Sequence, residues 1–159
     1  TQISQLPHSL VKVEGYLDLA DSKIEKLPDN LQVGDDLNLF NTQITLLPNN
    51  LKVKGDLDLR YSKIEKLPDN LQIGGSLNLY NTPITHLPDN LKVGGNLSLH
   101  TTPIKTLPNN LQVRGHLDLR NTPIKTLPNN LQVGGRIYIN SDEKQYFKDK
   151  YLQFVNKII

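Results

Sequence analysis

Residues 71–90 read LQIGGSLNLYNTPITHLPDN, and residues 91–110 read LKVGGNLSLHTTPIKTLPNN. The same order of apolar, Gly, Asn and Leu-Pro positions returns every 20 residues along the chain, from Leu17 to Ile137. A fixed period of about 20 to 50 residues is typical of solenoid proteins, in which each repeat forms one coil and buries its apolar face against neighbouring coils. The sequence therefore predicts a stack of similar coils.

The apolar spacing within one repeat indicates extended chain. Apolar residues at positions 31, 33, 37 and 39 alternate with polar residues at 32, 36 and 38. A period of two indicates a strand with one buried face, whereas a helix would need spacings of three and four. Each coil is predicted to hold a short strand, a corner and an extended return. Successive strands would then pair in parallel, about 4.8 Å apart.

Three polar columns, each a set of residues 20 apart, are predicted to shape the corners. The Gly column runs from Gly15 to Gly135 and would supply a positive φ or close backbone approach. Asp35 interrupts it, and Asp tolerates the left-handed conformation. The Asn column, from Asn30 to Asn130, is expected to bond turn backbone or form a ladder. The Thr/Ser column is expected to satisfy backbone groups that the corner leaves unpaired.

The stretch L-x-L-x-x-T-x-I-x-x-L-P resembles the leucine-rich repeat, and most closely its short 20-residue form in secreted bacterial effectors and other bacterial or phage proteins. The resemblance covers residues 1–139 and implies a mainly β solenoid of right-handed coils with one parallel sheet of seven short strands. Thr or Ser stands where that family has its ladder Asn. A further apolar pair, Leu31 and Val33, lies in the family's variable segment, so the return leg could form a second sheet. The resemblance implies protein recognition through a concave strand face, without catalytic residues.

Composition narrows the classes of function. The chain has 159 residues, 36% of them hydrophobic, and no cysteine. No apolar run reaches the length of a membrane span, and no dense Lys/Arg cluster indicates nucleic-acid binding. Residues 1–80 carry a net charge of −3 and residues 81–159 a net charge of +5. This imbalance indicates either ends that prefer different partners or drift among solvated side chains. Neither a cofactor nor a compartment is indicated.

The two ends of the repeat array differ. Residues 1–140 are predicted to form the solenoid, which opens in mid-repeat, so a missing segment, another chain or end-to-end self-association would cover the first coil. Residues 141–159 are predicted to form an amphipathic helix that caps the last coil, with a partner-binding helix as the alternative. Ser141 is its expected N-cap. The expected apolar face comprises Phe147, Tyr151, Phe154, Val155 and Ile158.

Three outward-facing columns vary from coil to coil while the core columns stay nearly constant. One of them carries Phe, Arg, Tyr, His and Arg in succession, and aromatic residues and Arg dominate binding hot spots. The predicted binding surface therefore comprises Phe40, Arg60, Tyr80, His100 and Arg120, with Asp56, Asp58 and Asp118 as polar partners. The alternative is a solvated sheet face with internal Asp58–Arg60 and Asp118–Arg120 pairs.

Two catalytic arrangements are alternatives to that surface. Ser98 and His100 share a strand face, with Asp118 expected beside Ser98 on the next coil, which is the composition of a hydrolase triad. No oxyanion hole or pocket accompanies them. His100, His116 and Asp118 could also converge on a metal ion, although their spacing matches no known signature.

The sequence thus predicts a non-enzymatic recognition module that binds a protein partner. One alternative is a scaffold or spacer array without a specific site, consistent with the near-copy of residues 22–33 at residues 62–73. A more remote alternative is the substrate-recognition part of a larger effector enzyme.

Overall fold

The computed structural model describes residues 3–159; Thr1 and Gln2, which the sequence places in the first partial repeat, lie outside this range. Each of seven successive coils contributes two strands of two residues. The strands are β1 Lys12–Val13, β2 Leu17–Asp18, β3 Gln32–Val33, β4 Leu37–Asn38, β5 Lys52–Val53, β6 Leu57–Asp58, β7 Gln72–Ile73, β8 Leu77–Asn78, β9 Lys92–Val93, β10 Leu97–Ser98, β11 Gln112–Val113, β12 Leu117–Asp118, β13 Gln132–Val133 and β14 Ile137–Tyr138.

These strands form two parallel sheets. Sheet 1 contains the odd-numbered strands and sheet 2 the even-numbered strands, in chain order, with seven strands each in the described residues. The register is 20 residues throughout, as in the pairing of Leu37 with Leu57. The predicted parallel solenoid is confirmed. The return leg, which the sequence left undecided, forms sheet 1, so the structure has two sheets rather than one.

The apolar columns form one continuous core. Leu37, Leu57 and Leu77 are fully buried, each against the equivalent Leu of the next coil. Full burial of one such side chain stabilises the fold by about 1.5–3 kcal/mol relative to its exposure. Because each coil alone leaves this face open, stability depends on stacking in register.

Close approach, and not positive φ, explains the Gly column. No described glycine has a positive φ. A Cβ at Gly75 would lie 2.2 Å from Asp56 Oδ1 and 2.7 Å from the Gly55 carbonyl carbon. The explanation of Asp35 by left-handed backbone is wrong, since Asp35 is absent from the positive-φ residues. The coil before Asp35 has Tyr16 in place of the acceptor side chain, and the Tyr16 hydroxyl bonds Asn38.

The Asn and Thr/Ser columns satisfy the corners as predicted. Asn30, Asn50, Asn90 and Asn110 have positive φ values between 58° and 63°. The Asn50 amide donates to Asn30 Oδ1 at 3.3 Å, so part of the column forms the expected ladder. Hydroxyls of the Thr/Ser column donate to the carbonyl three residues earlier, as Thr42 does to Leu39 at 2.9 Å. Ser62 is the exception, because its buried Oγ has no partner.

The C-terminal segment covers the last coil, although its helix is shorter than predicted. Helix α1 spans Lys144–Lys150 and a 3-10 helix spans Leu152–Phe154. The N-cap of α1 is Glu143 and not Ser141, and Val155 is exposed, so both of those predictions are wrong. Phe147, Tyr151, Phe154 and Ile158 are buried, as predicted. No helix in residues 3–159 is long and apolar enough to cross a membrane.

The last three residues of the chain, 157–159, pair with the edge strand β14. The Ile137 N–H donates to the Lys157 carbonyl at 2.7 Å, and the Ile159 N–H donates to the Ile137 carbonyl at 3.0 Å. The otherwise open edge of β14 is therefore covered by the chain itself, which removes a template for strand addition.

Candidate functional site

The outward side chains of sheet 2 lie where the sequence predicts them. The even-numbered strands from β4 to β12 each place a buried Leu before a partly exposed polar residue, and the varying third column lies two residues after each strand ends. Arg120 and Asp56 are exposed, whereas the other predicted residues are partly buried: Phe40, Arg60, Tyr80, His100, Asp58 and Asp118.

Tyr61, which the predicted surface did not include, completes a continuous line of rings with Phe40, Tyr80 and His100. Tyr61 lies edge-to-face against Phe40 at 5.5 Å between centroids and against Tyr80 at 5.2 Å. Tyr80 continues the line to His100 at 5.1 Å. Such pairs contribute about 0.5–1.5 kcal/mol each beyond area burial. We refer to Phe40, Tyr61, Tyr80 and His100 as the aromatic row.

Tyr61 occupies a backbone position that disfavours it. Its φ is 58°, in a column where other coils place Asn41 (52°), Asn81 (55°) and Asn121 (55°). Asn adopts the left-handed conformation readily, whereas other non-Gly residues pay about 1–2 kcal/mol for it. A strained residue persists where its surroundings hold it and is typical of functional sites. The one signal in the sequence was the departure of residue 61 from its Asn-rich column.

The exposed Tyr61 phenol interacts with its neighbour. Tyr61 is 43% exposed, although its ring contacts Phe40 and Tyr80. Hydrogen bonding with the Tyr80 hydroxyl raises the pKa of the Tyr61 phenol above its usual value. Tyr61 is therefore neutral at physiological pH, and the row presents polar hydroxyls on an apolar surface.

Both predicted arginines are held by the neighbouring carboxylate. Arg60 Nε lies 2.9 Å from both oxygens of Asp58, and Arg60 Nη2 lies 2.6 Å from Asp58 Oδ2. The Arg60 guanidinium also lies 5.2 Å from the centroid of the Phe40 ring. Arg120 repeats the arrangement with Asp118 and Tyr138. The internal pairs expected for a solvated face are thus formed, and they border the aromatic row.

The side chains of the column that contains Asp58 form a hydrogen-bonded turn at the end of the sheet 2 strands. Asn38 Oδ1 accepts the Phe40 N–H at 3.0 Å, and Asn78 Oδ1 accepts the Tyr80 N–H at 3.1 Å. Asp58 and Asp118 make the same contact to residues 60 and 120. In each of these turns, one side-chain oxygen accepts the N–H two residues further on and so orients the residue of the third column.

A second outward column bonds one coil to the next. Asp36 Oδ1 accepts the Asp56 N–H and Asp56 Oδ1 accepts the Ser76 N–H, both at 2.6 Å. The series continues through Ser76, Asn96 and His116 to the Arg136 N–H. Asp56, predicted as a polar partner, therefore has a structural role and retains its second oxygen for a ligand.

A shallow depression runs beside the aromatic row. Its volume is about 410 Å³, and its lining includes Tyr16, Asp36, Asp56 and Asp58. Three carboxylates along one depression make it a region that favours cations.

Neither catalytic arrangement is assembled in residues 3–159. Ser98 and Asp118 are register partners, as expected, but Asp118 is bonded to Arg120. His100 Nε2 lies 3.0 Å from the Asn121 amide nitrogen, and its ring packs on Tyr80. No group of three His, Asp or Glu residues in this range is placed to hold a metal ion.

No protein-family model matches the chain, and a search of curated proteins finds no match. The two parallel sheets and the outward columns therefore define the class by structure: a parallel β-solenoid with a short C-terminal helix.

Proposed function

We propose that this solenoid is a non-enzymatic recognition module that binds a protein partner through the outer face of sheet 2. The observation that carries the proposal is the aromatic row, which places four rings at 5.1–5.5 Å along the stack. We also propose kinship with the short leucine-rich repeats of bacterial and phage proteins, in which the strand face is the concave recognition surface.

Pre-organisation supports a binding role. The rings are held by edge-to-face contacts and by the Asn38 and Asn78 turns, so little side-chain freedom remains to be lost on binding. Tyr61 adds a ring at a position where folding alone favours Asn. Aromatic side chains with a polar tip are typical anchors of protein interfaces.

The polar groups of this face support recognition over catalysis. Asp58 and Asp118 each hold an Arg and a backbone N–H, and Asp56 holds the next coil. Groups committed to structural hydrogen bonds are poor candidates for proton transfer, which needs a free acid or base near the reacting atom.

The rival function is a scaffold or spacer array without a specific site. The internal Asp–Arg pairs are those expected for a solvated face, which favours this rival. Residues 157–159 pair with β14 and occupy that edge, so a further coil could not pair with this strand. This pairing is an argument against a spacer that extends beyond the last coil.

Comparative capture separates the two functions. Wild type, a Phe40→Ala/Tyr80→Ala double variant and a Tyr146→Ala/Leu152→Ala control would each be crosslinked to partners in a lysate of the native host. The control removes two exposed apolar side chains from the C-terminal cap. We expect the control to retain the wild-type partners and the row variant to lose them, with all three folded by circular dichroism. Identical partners for all three proteins would favour the spacer.

A further inference from the structure

The aromatic row has a spacing that suits one conformation of a bound segment. Parallel strands repeat at about 4.8 Å, so Phe40 and Tyr80, two coils apart, belong to a period of about 9.6 Å. A polyproline II helix has three residues per turn at about 3.1 Å each, a period of about 9.3 Å. Two residues three apart in such a segment would therefore meet Phe40 and Tyr80, which hold equivalent positions in their coils.

The chemistry of the row also suits this conformation. Proline-rich segments dock in aromatic-lined grooves, and their backbone carbonyls have no internal hydrogen bonds. The Tyr61 and Tyr80 hydroxyls share one hydrogen bond, which leaves one of the two O–H groups free to donate along the row. The Asn78 amide nitrogen is a further donor, because Asn78 Oδ1 already accepts the Tyr80 N–H.

The charges beside the aromatic row favour a positively charged partner. Residues 15–21, 35–41 and 55–61, which contain the sheet 2 strands of the first three coils, carry six carboxylates and one cation, Arg60. Arg60 is itself paired with Asp58. The depression lined by Asp36 and Asp56 extends to Asn38 and Asn78, which precede Phe40 and Tyr80 by two residues. Its carboxylates would attract Lys or Arg side chains.

We infer that the segment recognised by this face is a basic, proline-rich stretch in the polyproline II conformation. It lies along Phe40, Tyr61 and Tyr80, parallel to the stack, with cationic side chains over Asp36 and Asp56. The inference rests on the proposed function and names the chemistry of its partner.

Synthetic peptides test the inference on the full chain. The probe is a fluorescein-labelled peptide of four Pro-Pro-Arg repeats, measured by fluorescence anisotropy. Four Gly-Ser-Arg repeats keep the charge without the polyproline II bias, and four Pro-Pro-Glu repeats keep the conformation with the opposite charge. We expect binding of the Pro-Pro-Arg peptide alone. Equal binding of the Gly-Ser-Arg peptide would overturn the inference, because charge alone would then suffice.

Three variants locate the site, and the first two change residues with the same backbone conformation. Tyr61→Asn installs the residue that its own column prefers, and we expect about tenfold or greater weakening of Pro-Pro-Arg binding. Thr101→Asn, in the same column without a ring, should bind as wild type does. Asp36→Asn/Asp56→Asn keeps the Oδ1 acceptors, as Asn96 does, and should weaken binding several-fold.

The outcomes distinguish this inference from the proposed function. Unchanged binding by Tyr61→Asn, or no binding of any peptide, overturns the polyproline inference. If the Phe40→Ala/Tyr80→Ala variant still loses partners in the capture experiment, the face is a protein-binding surface for another kind of segment. If the polyproline inference is overturned and the Phe40→Ala/Tyr80→Ala variant retains all partners, both proposals are wrong.

Discussion

Asp56 Oδ1 accepts a 2.6 Å hydrogen bond from the backbone N–H of Ser76, its register neighbour on the next coil. The same oxygen occupies the space where a Cβ at residue 75 would lie, at 2.2 Å. One side chain thus both joins two coils and requires glycine beside it. The repeat of Gly every 20 residues is a consequence of this contact.

Gly15 and Gly75, two members of the Gly column, should respond oppositely to substitution by alanine. Gly75→Ala would push its Cβ into Asp56 and the Gly55 backbone, so we expect a loss of about 1–3 kcal/mol in the free energy of unfolding. Gly15→Ala meets nothing within 4 Å and should stabilise the protein by about 0.4–1 kcal/mol by restricting the unfolded chain. Urea unfolding measures both. Equal effects at the two positions would contradict the close-approach explanation.

Substitution by Asn should separate backbone strain from ring contacts. Thr101 has a φ of 59° and Tyr61 a φ of 58°, in a column that favours Asn. Thr101→Asn should raise the free energy of unfolding by about 1 kcal/mol. Tyr61→Asn should change it little, because the lost edge-to-face contacts offset the relief of strain. A destabilising Thr101→Asn in denaturant melts would refute the strain assignment.

Ser22 and Ser62 occupy the same position in nearly identical sequence but differ in hydrogen bonding. Ser22 Oγ donates to the Leu19 carbonyl at 2.6 Å, whereas Ser62 Oγ is buried without a partner. Ser22→Ala should cost about 1 kcal/mol, and Ser62→Ala should be neutral or stabilising. Thermal melts of the two variants test the difference; a larger loss for Ser62→Ala would show that its hydroxyl has a partner in solution.

The C-terminal cap should depend on one buried ring. Phe147 is 1% exposed and stacks on Tyr151. Phe147→Ala should cost about 3–5 kcal/mol, whereas Leu152→Ala, at a residue 72% exposed, should fall within about 0.5 kcal/mol of wild type. Hydrogen exchange should show faster exchange of the Ile137 amide in Phe147→Ala. Unchanged protection of that amide would mean that residues 157–159 hold the edge without the helix.

Low pH should destabilise the C-terminal cap by protonating Glu143. A hydrogen bond from Lys125, with a further one from Asn140, holds the pKa of Glu143 below its ordinary value of 4.5. A lowered folded pKa gives stability that is present above the unfolded pKa and is lost as the pH falls through the folded value. The free energy of unfolding of wild type should therefore exceed that of Glu143→Gln by up to about 1 kcal/mol near neutral pH, and the difference should disappear as the pH falls through the folded pKa of Glu143. A difference that persists at the acid end would exclude an ionic origin.

The architecture could be predicted because periodicity is a property of the chain itself. Identical residues 20 apart can share one core only if successive coils repeat one conformation in register, so the Leu columns required a parallel solenoid. The Asn ladder and the Thr/Ser contacts followed from the same repetition. The second sheet could not be predicted with the same force, since two-residue strands such as Gln32–Val33 differ from an extended loop only by hydrogen bonds to the next coil.

The sequence predicted most residues of the candidate site but not Tyr61, which lies at its centre. Phe40, Tyr80 and His100 are separated by multiples of 20 residues, so their alignment is a property of the repeat. Tyr61 belongs to a different column, and its ring reaches the row only because a positive φ and the contacts of two neighbouring coils place it there. The sequence by itself determined which residues recur, hence the coil and its core. Only the tertiary structure decided which side chains of different columns meet, because such contacts depend on backbone torsion and on packing between coils.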